Sequence, residues 1–461
     1  MKNKNFLTLL TLTAIASCTL APKYEKPKVA LPFEQSADAS KKKIATISWQ
    51  EYFLSPDLHR VIQTALFNNR DLRVANLNIE SAQATHGVVR SNLLPTVSAV
   101  GSETRQGVPS SFSSFMPKKQ FRANVSLASF ELDFFGRLQS LKKSALEDFL
   151  ASEQALKVTR IALISEVANS YAQLLLDREL LEIAKENVKA QSDRLKFSEI
   201  RYKNGIDSQT DLLNAEATIE EAKNSFETYK KLVKQDENAL MLLMGVFDFE
   251  ALPQEDVKFS DIKINQNLLD LVPSDSLFSR PDIKQAEHEL KSANANIGAA
   301  RAAFFPSITL TGSYGYASRE MTNLFDSKTW AFTPQINIPL FAGGKNIYNL
   351  KLSQVRQKTE VAQYEKAIQT AFREVLDQLA ERESITNQVE SFDKILKNRK
   401  RANEISEAKH QVGISSALNV LDAKIAFLSA SQNQASAKKE QIANLIALYK
   451  VMGGGAELEV E

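Results

Sequence analysis

Two hydrophobic periods alternate along the chain, and each occurs twice. After Pro306 the period is two: Ile308, Leu310, Gly312, Tyr314 and Tyr316 fall on one face, with Ser307, Thr309, Thr311 and Ser313 on the other. From Trp330 it recurs, with Phe332, Pro334, Ile336, Ile338 and Leu340 set against Thr333, Gln335 and Asn337. Such alternation predicts two half-buried strands forming a hairpin. An earlier, weaker copy covers Thr96 to Thr104 and Phe121 to Asp133, joined by the loop 106–120. Its second strand changes phase between Leu127 and Phe130, which predicts a bulge or a barrel rim there.

After Gly136-Arg137 and after Gly344-Lys345 the apolar period lengthens to about 3.5 residues. Ile161, Ile164, Ala168, Tyr171 and Leu175 follow it, as do Val361, Tyr364, Ile368, Ala371 and Val375. No proline interrupts 136–203 or 345–411. Each stretch therefore predicts one helix of about 67 residues, roughly 100 Å long. Each ends at a glycine turn, at Gly205 or Gly413, where glycine can adopt the left-handed cap. Asp207 or Ser208, and Ser415 or Ser416, can cap the helix that returns. Ile219, Ala222, Phe226, Tyr229 and Val233 carry the stripe back toward Met244. Leu421, Leu428, Ala435, Ile442 and Tyr449 carry it toward Met452. Alanine-rich helices over 71–93 and 281–304 precede the strands and stop at Pro95 and Pro306, because a proline pushes its predecessor out of helical geometry.

The recurrence is a tandem duplication. A shift of 211 superimposes Asp71 on Asp282, Gly87 on Gly298, Arg90 on Arg301 and Pro95 on Pro306; a shift of 208 matches Glu166 with Glu374, Gly205 with Gly413 and Gly245 with Gly453. The unit is too long for a solenoid repeat. The expected organisation is a signal segment 1–17, an extended N-terminal segment 18–56, a first repeat 57–244, a connector 245–280, a second repeat 281–452 and a tail 453–461.

The N-terminus adds an address. Lys2 and Lys4 precede an apolar run, Phe6 to Ala16, too short to span a bilayer. Ile15-Ala16-Ser17-Cys18 then forms a lipobox, which predicts Cys18 as a lipidated first residue; it is the sole cysteine, so no disulfide forms within the chain. The absence of aspartate after Cys18 favours sorting to the outer membrane of a Gram-negative bacterium. The Lys41-Lys42-Lys43 run reads as solvated linker. A formal charge of only +2 and the lack of a basic helix with interleaved aromatics argue against nucleic acid as a partner.

Strands of roughly ten residues with one apolar face fit a transmembrane β-barrel; a soluble sheet packed on a core fits the same alternation. Four strands cannot close a barrel, and open edges are not tolerated in lipid. Identical chains must then share one, and three chains supply twelve strands. Nothing in the sequence reads as catalytic. His59, His86, His288 and His410 lack metal-ligand spacing, and Gly343-Gly344-Lys345 departs from a P-loop because Pro339 holds the first glycine position. No cofactor is expected.

The motifs Trp49-Gln50-Glu51-Tyr52-Phe53, Ala65 to Arg73, Phe130 to Arg137 and Arg201-Tyr202-Lys203-Asn204-Gly205 stand in fixed order behind the signal and Cys18. In this the chain resembles the TolC-like outer membrane efflux family, most closely its lipid-anchored branch serving resistance-nodulation-division (RND) pumps. The resemblance implies a mainly α fold with a transmembrane β part: a homotrimer with a 12-stranded β-barrel in the outer membrane and a 12-helix α-barrel of coiled-coil hairpins in the periplasm. It also implies a passive exit duct, a periplasmic adaptor (membrane fusion protein) and an inner-membrane RND-type transporter.

On the same resemblance the turns are adaptor-docking tips, matched by Arg201, Gly205, Asp207 and Ser208 in the first copy and by Lys409, Gly413 and Ser416 in the second. Lys409-His410 departs from the family's Arg-Tyr, and lysine offers a point charge where arginine offers a planar fork. Glu407, and its repeat equivalent Glu199, match acidic residues that narrow the family's entrance. A ring of carboxylates would favour cations; a solvated helix face is the plainer reading of both glutamates, and simple helix capping that of the tips. Export of metal ions or proteins, or a non-channel scaffold lipoprotein, remain alternative functions.

Overall fold

The computed structural model describes residues 19–29, 46–107, 109, 111, 117–266 and 274–456. The signal segment, Cys18, the Lys41-Lys42-Lys43 run, part of the 106–120 loop and residues 457–461 lie outside them. In chain order the elements are α1 (Trp49–Tyr52), α2 (Pro56–Asn68), α3 (Arg70–Ser91), β1 (Thr96–Arg105), β2 (Lys119–Leu132), α4 (Arg137–Lys203), α5 (Gln209–Met244), α6 (Pro281–Ala302), β3 (Ser307–Ser318), β4 (Lys328–Asn337), α7 (Lys345–Gln411) and α8 (Ala417–Val451). Both long helices have 67 residues. Two compact units result. One gathers Leu77–Gln154, Gln285–Lys366 and the stretch 19–29; the other gathers 46–76, Ala155–Lys284 and the chain from Ala367 onward. Each draws on both sequence repeats.

In the first unit the four strands make one antiparallel sheet in the order β1-β2-β3-β4. Register sorts the side chains cleanly. Ala99, Val125, Tyr314 and Trp330 form one cross-strand row, Val97, Leu127, Gly312 and Phe332 the next, and Leu310 with Pro334 and Ile308 with Ile336 continue the apolar face. Ser98 opposite Ser126, and Thr309 and Thr311 opposite Gln335 and Thr333, belong to the polar face. The phase change in β2 is a bulge: register shifts between Leu127 and Phe130, and Ser129 has φ 25°. One extra residue returns Phe130 and Leu132 to the face of Val125 and Leu127, because side-chain direction alternates strictly along a strand. Among the described residues the apolar face is bare, with Tyr314 60 % and Trp330 76 % exposed. A soluble sheet would bury such a face. Strand β4 ends at Asn337, short of the expected Leu340, where Pro339 supplies no amide donor.

The stretch 19–29 lies along this unit. Thr19 Oγ1 and Ser140 Oγ are 2.8 Å apart, Asn294 donates to the Pro22 carbonyl at 2.8 Å, Arg301 to that of Leu20 at 3.1 Å, and Lys26 pairs with Glu287 at 2.9 Å. Gly298 is required here, since a Cβ would come within 2.7 Å of the Ala21 amide nitrogen.

In the second unit the 3.5-residue stripes are the packing seams. Ile164, Ala168, Tyr171 and Leu175 on α4 and Ile368 and Ala371 on α7 are buried, as are Leu428, Ala435 and Tyr449 on α8. The short helix α1 falls within the 18–56 segment expected to be extended, and α2 precedes the helix expected over 71–93 at the head of the first repeat. Their stability comes from long-range contacts: the buried Tyr52 donates its hydroxyl to the Leu445 carbonyl at 2.7 Å and stacks on Tyr449 at 4.7 Å, and Tyr171 donates to Asp57 at 3.1 Å.

The duplication reappears with changed chemistry where α3 and α6 begin. Asn69 donates to the Leu243 carbonyl at 2.8 Å and caps α3, accepting from the Asp71 and Leu72 amides. Its counterpart Arg280 donates to the Val451 carbonyl at 2.6 Å and bonds Asp282 and Glu374 at 2.6 and 2.9 Å. Leu243 and Val451 are themselves related by the 208 shift.

Candidate functional site at the helical turns

The chain reverses twice at glycine. At the first turn Gly205 has φ 70°, and the Gly205 and Ile206 amides donate to the Tyr202 and Arg201 carbonyls at 2.9 Å each, closing the last turn of α4. Glycine takes this backbone without a Cβ penalty. Arg201 then reaches over the turn, its Nε 2.8 Å from Asp207 Oδ1, while Ser198 Oγ donates to Asp207 Oδ2 at 3.4 Å. Because Asp207 is engaged by Arg201, the capping residue of α5 is Ser208. Its hydroxyl accepts from the Asp211 amide at 3.2 Å, and the Ser208 amide donates to Asp211 Oδ2 at 3.0 Å. This is a reciprocal capping box. The Ser208 hydroxyl, and then its amide, hold the Asp211 carboxyl below its ordinary pKa.

The second turn keeps the backbone and loses the carboxylates. Gly413 has φ 79°, and the Gly413 and Ile414 amides donate to the His410 and Lys409 carbonyls at 2.9 Å each. Ser416 caps α8 by accepting from the Asn419 amide at 3.3 Å, and His410 Nδ1 lies 2.9 Å from the Ser415 carbonyl. Where the first tip has Arg201, Asp207 and Asp211, the second has Lys409, Ser415 and Asn419. Both tips end in exposed aliphatics, Ile206 and Ile414.

The two hairpins meet near the first tip. Arg194 on α4 pairs with Asp422 on α8 at 3.1 Å, and Lys424 lies 3.7 Å from Glu186. A groove of about 360 Å³ opens here, with Arg194, Arg201, Asp207, Asp211 and Asn214 on its charged and polar side and Leu418 of α8 across from them. The structure thus brings Arg201 and Asp207 to one groove, keeps Gly205 and Ser208 in the adjoining turn and cap, and leaves Lys409, Gly413 and Ser416 at the other turn. Asp211 has a sequence signal in the capping-box motif Ser208-Gln209-Thr210-Asp211; the Arg194–Asp422 pair joins residues with none. Glu199 and Glu407 are both exposed. Glu407 is oriented by Asn403, one helical turn earlier and buried, whose amide donates at 2.8 Å.

Against known proteins, the family model for outer membrane efflux proteins matches residues 61–246 and 272–454. The chain belongs to the outer membrane efflux protein family. It is 38 % identical to the toluene efflux pump outer membrane protein TtgC of Pseudomonas putida over 98 % of this chain and 96 % of that one. The antibiotic efflux pump outer membrane protein ArpC of P. putida gives the same 38 % identity and the same coverage. Among solved structures, the open state of the MtrE outer membrane channel of Neisseria gonorrhoeae superimposes with a TM-score of 0.82 and 34 % identity, covering 95 % of this chain and 99 % of that one. This family member is accordingly an outer-membrane channel, the exit duct of an efflux pump. The bare apolar face of its sheet is the face such a location requires, since only a closed β-structure satisfies its backbone in lipid.

Proposed function

We propose that three copies of this chain close one twelve-stranded barrel and one twelve-helix α-barrel, and that the shared lumen carries small apolar and amphiphilic molecules outward without altering them. The observation that carries the trimer is the sheet itself. Within the chain β1 and β4 are both edge strands, with an uncovered apolar face between them. Pairing β4 of one copy with β1 of the next removes every edge. The substrate class follows from the 38 % identical relatives named for toluene and antibiotic efflux. Acylation of Cys18 adds an anchor in the same membrane.

The tips are the docking surface for a periplasmic adaptor, which couples the duct to an inner-membrane RND-type transporter. Arg201 and Asp207, beside the Gly205 turn and the Ser208 cap, supply the charged docking groove, and Lys409, Gly413 and Ser416 a weaker second contact. Glu407, with Glu199, narrows the resting entrance, and adaptor binding spreads the tips.

The test is the mass of the detergent-purified protein followed by single-channel conductance in planar bilayers. A trimer with small, cation-selective conductance that rises in Glu407→Ala is expected. A monomer, or a trimer that never inserts, overturns the shared barrel. Unchanged conductance and selectivity in Glu407→Ala removes that residue from the gate.

A further inference from the structure

The apolar face of the sheet is uneven. Toward the strand ends that lead into the 106–118 and 319–327 connections, its side chains become small: Ala99, Gly101, Ala123 and Val125 occupy adjacent positions of β1 and β2. They leave a hollow of about 480 Å³, walled on one side by Tyr314, Tyr316 and Phe325. Phe325 meets Tyr316 edge-on, with ring centroids 5.3 Å apart, so the wall is fixed by an aromatic contact. A Cβ at Gly101 would meet nothing within 4 Å, so the space there is open.

Charge changes along the same face. Level with the hollow, register places Lys328 opposite Tyr316; beyond it, Phe121 lies opposite Glu103 and Lys119 opposite Arg105. Glu103 is bonded to Arg105 and lies 3.5 Å from Lys119, while Lys119 Nζ sits 4.6 Å from the Phe121 ring centroid. One carboxylate thus serves two cations, and Lys328 adds a third. At the other end of the sheet, where the strands join α4, Arg137 is matched by Glu131 at 2.6 Å. The cationic excess belongs to the end remote from the helices. In an outer-membrane channel whose helices are periplasmic, that end faces the outer leaflet.

An apolar hollow capped by cations at the membrane surface fits an amphiphile with acyl chains and an anionic head. We propose that this hollow binds a phosphorylated glycolipid of the outer leaflet, its acyl chain against Ala99, Gly101 and Ala123 and its phosphate at Lys119 and Lys328. The site rests on the outer-membrane trimer proposed above. Each Lys or Arg at an anionic lipid surface adds to the attraction. Reversing two of them lowers lipid retention by roughly tenfold or more.

The experiment uses the full-length trimer in phosphatidylethanolamine–phosphatidylglycerol vesicles containing a small fraction of lipid A. The trimer is re-extracted in mild detergent, bound lipid is counted by mass spectrometry, and conductance is recorded on the same samples. The native trimer is expected to retain lipid A selectively over phosphatidylglycerol. Lys119→Glu/Lys328→Glu and, separately, Gly101→Leu, which fills the hollow, are each expected to lose it while conductance persists. Excess inorganic phosphate should leave the bound lipid in place. Equal retention by the native trimer and Gly101→Leu, displacement by phosphate alone, or equal retention of phosphatidylglycerol overturns the site while leaving the channel intact. Failure of the native trimer to insert or conduct overturns both.

Discussion

Arg280 offers the sharpest test of how the second repeat is held. It is buried, 7 % exposed, and binds three groups from three elements: Asp282 at the start of α6, Glu374 on α7 and the Val451 carbonyl at the end of α8. Arg280→Ala leaves all three without this partner. Removing one member of a fully buried ion pair costs about 3–5 kcal/mol. The side chains of Asp282 and Glu374 are 38 % and 34 % exposed. Water can therefore re-solvate them in part, and a cost of about 2–3 kcal/mol is expected after that discount. The loss should appear locally, because α8 ends at this contact. Exchange of the Gly453 and Gly454 amides, which donate to Lys450 and Tyr449, should accelerate by roughly 30- to 150-fold in hydrogen-exchange mass spectrometry. Asn69→Ala, at the equivalent position, removes a neutral bond and a helix cap and should cost only about 1–2 kcal/mol near Met244. If the two variants speed exchange equally, or Arg280→Ala leaves residues 449–454 unchanged, the lock is misread.

Other outcomes follow from single sites. Gly205 and Gly245 share a left-handed backbone, with φ 70° and 67°, but a Cβ at Gly205 meets open space, whereas one at Gly245 would lie 2.4 Å from the Asn68 carbonyl oxygen. Gly205→Ala should therefore cost about 1 kcal/mol and Gly245→Ala about 2–4 kcal/mol; equal unfolding midpoints at fixed protein concentration would contradict the clash. Asp236 on α5 is pushed up to about 7 by burial, and then by its hydrogen bond and charge interaction with Asp177. A carboxyl whose folded pKa lies above its unfolded value makes stability fall as pH rises between the two. Asp236→Asn should thus raise the melting temperature more at pH 8 than at pH 5, and a pH-independent gain would refute the assignment. At the first tip, Arg201→Ala and Asp207→Ala should each weaken adaptor binding measured by calorimetry. Their double variant should lose less than the sum of the two, since the half-buried pair at 2.8 Å is worth about 1 kcal/mol; strict additivity would separate the two residues.

Much of this fold is legible in the sequence because its periods arise from near neighbours. The 3.5-residue stripes through Ile164 and Ile368 define two long helices, glycine at 205 and 413 ends them, and strict alternation defines β3. The phase slip between Leu127 and Phe130 locates a bulge for the same local reason. At the candidate site, the glycine turns are legible as well, with each cap narrowed to two neighbouring residues, as is the contrast between Arg201 and Lys409. Only the tertiary structure decides matters that join residues far apart. It sets β2 beside β3, so that strands of different repeats share a sheet. It engages Asp207 with Arg201 and leaves the cap to Ser208. It brings Asp422 to Arg194, places Arg280 where the first repeat has Asn69, and stabilises α1 through Tyr52 and Tyr449. No local period encodes such pairs, because their energy depends on burial and charge that exist only once distant segments have packed. The bare apolar face marks the boundary between the two kinds of information: alternation shows that the face exists, and only the packed chain shows that none of the described residues covers it.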